Sequence, residues 1–167
     1  MTTLRFTQIT DLHLGSARDS TLAGVRTAES FESVLQAVER QGRGSDMLLL
    51  TGDLSADCDP QAYQILNQIL VEEGKQAIWL PGNHDNFDLM VANLVDYPPI
   101  QVKAAGNWAV LTLDSSQPHK PGGHISEEQL EQIAQNLESH TDKFVLLAMH
   151  HSPVAVGCDW LDQQMID

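Results

Sequence analysis

The chain has 167 residues, 42% of them hydrophobic and 19% charged, which suits one globular domain (residues 1–167) with a buried core. Nine Lys and Arg against 23 Asp and Glu leave a net charge of −14, which argues against nucleic acid or an anionic membrane surface as partner. There is no apolar run of the ~18–20 residues that span a bilayer, no secretory signal, and only two cysteines, Cys58 and Cys158, so a reduced cytoplasm is the expected compartment.

Leu4–Thr10 reads as a first strand, followed by a turn-rich stretch. Thr27–Arg40 places Phe31, Val34, Leu35 and Val38 at helical spacing, and Met47–Thr51 is a short apolar run of the kind found in buried strands. Asp59 and Pro60 then open a helix as N-cap and first residue, with Tyr63, Leu66, Ile69 and Leu70 on its inner side. Ala77–Leu80 is a third strand, stopped by Pro81-Gly82, and Trp108–Leu113 a fourth. Ser126 with Gln129 forms a capping box ahead of Leu130, Ile133 and Leu137, and Phe144–Met149 is a fifth strand. Strands alternating with helices predict a layered α/β fold.

Polar residues gather where these strands end. The first runs into Asp11-Leu-His13, the second into Gly52-Asp53-Leu-Ser-Ala-Asp57, the third into Gly82-Asn83-His84-Asp85, and the fifth into His150-His151-Ser-Pro153. In α/β sheets ligands bind beyond the carboxyl ends of strands. One Asp or His after a strand is ordinarily a turn residue or helix cap, but four such groups are harder to explain that way. Carboxylate, imidazole and amide oxygen suit Mn, Fe or Zn. If the first strand continues, Asp11 and His13 project to one side and can share an ion, while Asp53 bridges to a second completed by Asn83 and His150. Two ions about 3.5–4 Å apart clamp a phosphoryl group and lower the pKa of a shared water. They would also offset the acidic surface for an anionic ester.

In this order Asp-x-His, Gly-Asp-x-x-Asp, Gly-Asn-His-Asp and a later His resemble the calcineurin-like metallophosphoesterase family. Flanking tracts narrow the resemblance to the bacterial class III 3′,5′-cyclic-AMP phosphodiesterases: Ile9–Leu14, Gly24–Ser30, Trp79–Asp85, His150–Pro153 and Gly157–Asp162. The resemblance implies a first metal on Asp11 and His13, bridging by Asp53, and a second metal on Asn83 and His150. It makes His84 a catalytic group that contacts the phosphate and favours departure of the leaving oxygen, with Asp85 orienting it. His13, Asp53, Asn83, His84 and His150 would surround the substrate, a small cyclic nucleotide. His150 is preferred over His151 as ligand, although their spacing to Pro153 does not separate them. The implied fold is an α/β-β-α sandwich of mixed sheets flanked by helices.

A further family motif, Gly-His-x-His, completes both metal shells and does not occur here; His119, His124 and His140 do not match it. The chain is therefore expected to be the N-terminal part of a longer enzyme, with the sandwich incomplete at the C-terminus. The resemblance implies hydrolysis of cyclic AMP to 5′-AMP. Another phosphodiesterase of the superfamily and an inactive fragment stay open as alternatives, as does the oligomeric state. Asp57 is either a group behind the ligands or an N-cap, Asp114 a turn residue, and the two cysteines inert thiols. Trp160, after the His-His-Ser-Pro turn, is a candidate to stack on a nucleobase.

Overall fold

A computed structural model describes residues 5–42 and 45–167. The chain opens with β1 (Phe6–Ile9) and a ribbon of β2 (Thr21–Leu22) and β3 (Val25–Arg26), then α1 (Thr27–Arg40), β4 (Met47–Thr51), α2 (Pro60–Glu72), β5 (Ala77–Leu80) and α3 (Phe87–Asn93). There follow β6 (Val102–Ala105), β7 (Trp108–Thr112), α4 (Glu127–Ser139), β8 (Phe144–Ala148) and α5 (Asp159–Asp162). The elements expected from the sequence form with their ends within two residues, although Leu4 lies outside the described residues.

The first sheet has the order β1-β4-β5 and is parallel throughout, with Phe6 opposite Met47 and Leu48 opposite Ala77. With helices packed on it, this parallel sheet fits the expected layered α/β fold. Helices α1 and α2 link its strands, and such crossovers return the chain in the same direction. The second sheet, β6-β7-β8, is mixed. A tight turn at Gly106-Asn107 makes β6 and β7 antiparallel, while the connection through α4 lays β8 parallel to β7.

Every residue of β4 is buried because both of its faces are covered. Leu48 and Leu50 face the helices and pack in one cluster with Phe31, Leu35, Leu66 and Met90. Met47 and Leu49 point the opposite way and join Ile78, Leu80, Val110 and Ala148 between the two sheets. The result is a helix–sheet–sheet stack in which the strand period of two assigns each side chain to a layer.

Local chemistry fixes the helix ends. Asp59 Oδ1 accepts from Gln61 N at 2.8 Å, with Pro60 in the first turn of α2. Ser126 Oγ accepts from Gln129 N at 3.2 Å while Gln129 Oε1 accepts from Ser126 N at 3.0 Å, completing the capping box of α4. Gln129 also donates to Asp114 O at 2.7 Å, pinning the helix to the end of β7. None of α4 is buried, and β8, at the edge of its sheet, leaves Phe144 64% exposed. No helix among the described residues is long and apolar enough to cross a membrane.

Leu50 is fully buried at the centre of the β4 face that meets the helices. Leu50→Ala is expected to lower the unfolding free energy by about 3 kcal/mol, measured by urea titration. A loss below about 1 kcal/mol would mean that this layer does not hold the fold.

Candidate metal centre

The site forms where the two sheets touch. β1, β4 and β5 end side by side, and β8 brings its own end against them from the second sheet, so that His150 Nδ1 donates to Thr51 O at 2.9 Å. Asp11, His13, Asp53, Asn83, His84 and His150 line one cavity of about 400 Å³ at this junction. Asp85 alone of the expected site residues is not on its wall.

The turns after β1 and β4 are bonded to each other. Asp11 N donates to Gly52 O at 3.0 Å, His13 N to Asp53 O at 2.9 Å and Leu14 N to Leu54 O at 3.0 Å. In these turns Asp11, His13 and Asp53 all take left-handed backbone, with φ of +57°, +43° and +52°. This corrects the reading that placed Asp11 and His13 on one face of a continuing strand. β1 stops at Ile9, and the backbone twist, not strand alternation, brings the two side chains together. Such conformations cost roughly 1–2 kcal/mol per non-glycine residue, and the inter-turn hydrogen bonds hold them in place. Gly52 and Gly82 allow the close approach: a Cβ would lie 2.6 Å from His150 Nδ1 at the first and 2.2 Å from Asp53 Oδ1 at the second.

Asp53 is the centre of the arrangement. Its side chain is almost wholly buried, with Oδ2 at 3.6 Å from His13 Nε2 and Oδ1 at 3.5 Å from His150 Nε2. Ligand atoms of Asp11, His13 and Asp53 all lie within 4.8 Å of one another. Pairing with Asp11 raises the pKa of His13, and pairing with His13 lowers that of Asp11. The donor set of carboxylates, imidazoles and an amide could hold divalent metal ions. Asp53 turns one oxygen toward each histidine.

The two neighbouring histidines differ in what their rings have left to offer. His150 Nδ1 donates to a carbonyl oxygen, which leaves Nε2 turned toward Asp53. His151 is 5% exposed, with Nε2 3.1 Å from Pro121 O and Nδ1 2.8 Å from the Ser115 hydroxyl. Both of its nitrogens are occupied, and burial pushes its pKa down, so it lines the cavity without a ring nitrogen to spare.

His84 is exposed at the rim. Its Nδ1 lies 2.8 Å from Ala56 O, its backbone N–H donates to Asp53 Oδ1 at 3.0 Å, and its ring stands edge-on to His13 at 5.0 Å between centroids. The Ala56 carbonyl therefore orients the ring, not Asp85, which corrects the role expected for that carboxylate. Asp85 is buried and accepts from the amides of Leu54, Ser55 and Gly82 at 2.9–3.1 Å and from the Tyr63 hydroxyl at 3.0 Å. Burial raises its pKa against the pull of these donors, and it likewise raises that of Tyr63.

The sequence placed Tyr63 only on the inner side of a helix. Its hydroxyl also accepts from Asn86 N at 3.1 Å, tying α2 to the start of α3. A tyrosine among aliphatic residues was the available signal, since a buried phenol needs a partner. Asp57 is exposed, and Asp59, not Asp57, caps α2. Asp114 accepts from Ser116 N and Oγ, an ordinary turn role. His124 pairs with Asp167 and His140 bonds Asn136 O, both away from the cavity. Cys58 donates to His84 O at 3.3 Å, and burial raises its thiol pKa.

The sequence model of calcineurin-like phosphoesterases matches residues 4–166. The chain is 37% identical over 166 residues to 3′,5′-cyclic adenosine monophosphate phosphodiesterase CpdA of Escherichia coli, covering 98% of this chain and 60% of that protein. It is 34% identical over 166 residues to CpdA of Vibrio vulnificus, covering 98% and 61%. To a 3′,5′-cyclic-nucleotide phosphodiesterase of a Nostoc species it is 34% identical over 161 residues, covering 95% and 60%. The chain thus spans about 60% of the length of these curated relatives.

Asp85→Asn turns an amide NH2 toward backbone donors, and we expect it to destabilise the protein by about 2–3 kcal/mol in urea unfolding. Tyr63→Phe removes one hydrogen-bonding hydroxyl and is expected to cost about 1 kcal/mol. Equal stability of Asp85→Asn and the parent chain would show that the carboxylate does not clamp these turns.

Proposed function

The chain belongs to the calcineurin-like phosphoesterase family, and on that premise we propose that the full-length protein is a dinuclear-metal phosphodiesterase that hydrolyses 3′,5′-cyclic AMP to 5′-AMP. The observation that carries this reading is the Asp53 carboxylate, which turns one oxygen toward His13 of the first-sheet side and the other toward His150 of the second. A bridging role between two ions requires this geometry. The names of relatives at 34–37% identity support the choice of substrate.

Asp11, His13 and Asp53 would hold one ion, and Asp53, Asn83 and His150 the other. Family members use divalent metal ions; Fe, Mn or Zn are the identities we propose here, from the donor set. Bound ions of this kind supply Lewis acidity toward phosphoryl oxygens and a water nucleophile at neutral pH. They also cancel negative charge where an anionic ester must approach a protein of net charge −14.

The residues of the chain do the rest. Ala56 O accepts a hydrogen bond from His84 Nδ1, which holds the ring at the cavity rim with Nε2 free; a protonated ring would present Nε2–H there. There it donates to the 3′ oxygen as the P–O3′ bond breaks and water oxygen bonds to phosphorus, leaving the 5′-phosphate. Asp85 acts indirectly, by holding the turn that carries Asn83 and His84. We place this chemistry in a single domain and in the cytoplasm, with no nucleic-acid or membrane partner.

The test is hydrolysis of cyclic AMP by the full-length protein with Mn²⁺, beside Asp53→Ala and His84→Ala. We expect turnover by the parent protein, background rates in Asp53→Ala, and a fall in kcat of about 10²–10³ in His84→Ala. Parent protein that binds Mn²⁺ and leaves cyclic AMP intact would refute the substrate, and undiminished turnover by Asp53→Ala would refute the site.

A further inference from the structure

Trp160 is 67% exposed, yet it stands on a short, tightly held segment. After His151 the chain makes a loop closed by Asp162, whose carboxylate accepts from Val156 N at 2.7 Å and Gly157 N at 3.1 Å. Gly157, at φ +81°, allows that turn. The return limb is fastened as well: Ile166 N donates to Ser152 O at 2.9 Å, and Asp167 N to Gly123 O at 3.2 Å. The backbone that carries the indole is therefore held, so little loop freedom is lost when something packs on it.

The platform faces the metal centre. Trp160 lines the same cavity as Asp53, Asn83, His84 and His150, and is the one Phe, Tyr or Trp among its lining residues. Val156 and Leu161 continue that wall with apolar surface, 57% and 46% exposed. Asp11, His13 and Asp53, in the same lining, are polar and suited to ions and phosphate. An amphipathic ligand with an anionic end and a flat apolar end matches this division. Aromatic side chains take up a base through its face whatever its hydrogen-bonding edge.

We infer that Trp160 is the base-stacking residue of this site and sets its preference for nucleotides over simple phosphodiesters. The inference rests on the cyclic-nucleotide reading above and deepens it. Stacking without edge contacts predicts modest discrimination among bases, with purines favoured over pyrimidines by their larger face.

The test uses the full-length, Mn²⁺-loaded protein and two substrates, cyclic AMP and ethyl 4-nitrophenyl phosphate, which has no base. Trp160→Ala should reduce the ratio of kcat/KM for cyclic AMP over the baseless diester about tenfold, mainly through KM, and Trp160→Phe should restore most of it. A binding readout is independent of turnover. In a Trp108→Phe background, 5′-AMP should quench indole fluorescence while ribose 5-phosphate does not, and the quenching should vanish on Trp160→Phe. An unchanged ratio in Trp160→Ala, or quenching that survives Trp160→Phe, overturns the stacking role and leaves the phosphodiesterase reading standing. Parent protein that hydrolyses the baseless diester but neither cleaves cyclic AMP nor binds 5′-AMP overturns both.

Discussion

The carboxylate of Asp85 gathers the turns on which the site is built. Its oxygens accept from Leu54 and Ser55 just after β4, from Gly82 just after β5, and from Tyr63 in α2. An unpaired carboxylate in such a place would cost several kcal/mol, so each donor is needed to keep the charge inside the protein. The same bonds fix the spacing between the turn that carries Asp53 and the turn that carries Asn83 and His84. Asp53 then takes the His84 amide, and Ala56 O takes the His84 ring. The turns that carry the expected metal ligands are therefore held by a carboxylate that does not line the cavity.

The division of labour between paired residues follows from what lies behind each. His150 and His151 are adjacent, but one keeps Nε2 turned toward Asp53 and the other has both nitrogens engaged by Ser115 and Pro121. Asp53 and Asp85 are both buried, yet only Asp53 keeps its oxygens turned toward histidines. Neighbouring hydrogen-bond acceptors, not residue type, decide which imidazole can serve as a ligand. The bonding of each ring is visible only in three dimensions.

The main elements were legible because their signals are strong. Five apolar runs, the Asp59-Pro60 start and the Ser126–Gln129 box each express one clear physical preference. The ribbon β2–β3 was not legible: its strands are two residues long and exposed, and Ala23 is a poor residue for the left-handed turn position it fills at φ +49°. α3 follows directly on the Gly-Asn-His-Asp turn, and its start is marked only by Asn86 accepting from Leu89 N. β6 has a single β-branched residue, Val102, with nothing to distinguish it from a loop. In the site, the residues that the motifs named line one cavity, Asp85 excepted. The alternation argument for Asp11 and His13 failed because three residues accept left-handed backbone, which tertiary hydrogen bonds impose and local sequence does not announce.

The contact between His150 and Thr51 joins residues 99 positions apart. At translation rates of about 5–20 residues per second, Asp53, the last of Asp11, His13 and Asp53 to be made, leaves the ribosome roughly 5–20 s before His150 does. During that interval the nascent chain carries Asp11, His13 and Asp53 without the histidine from the second sheet. The cavity that these residues share with His150 is therefore complete only once β8 has docked.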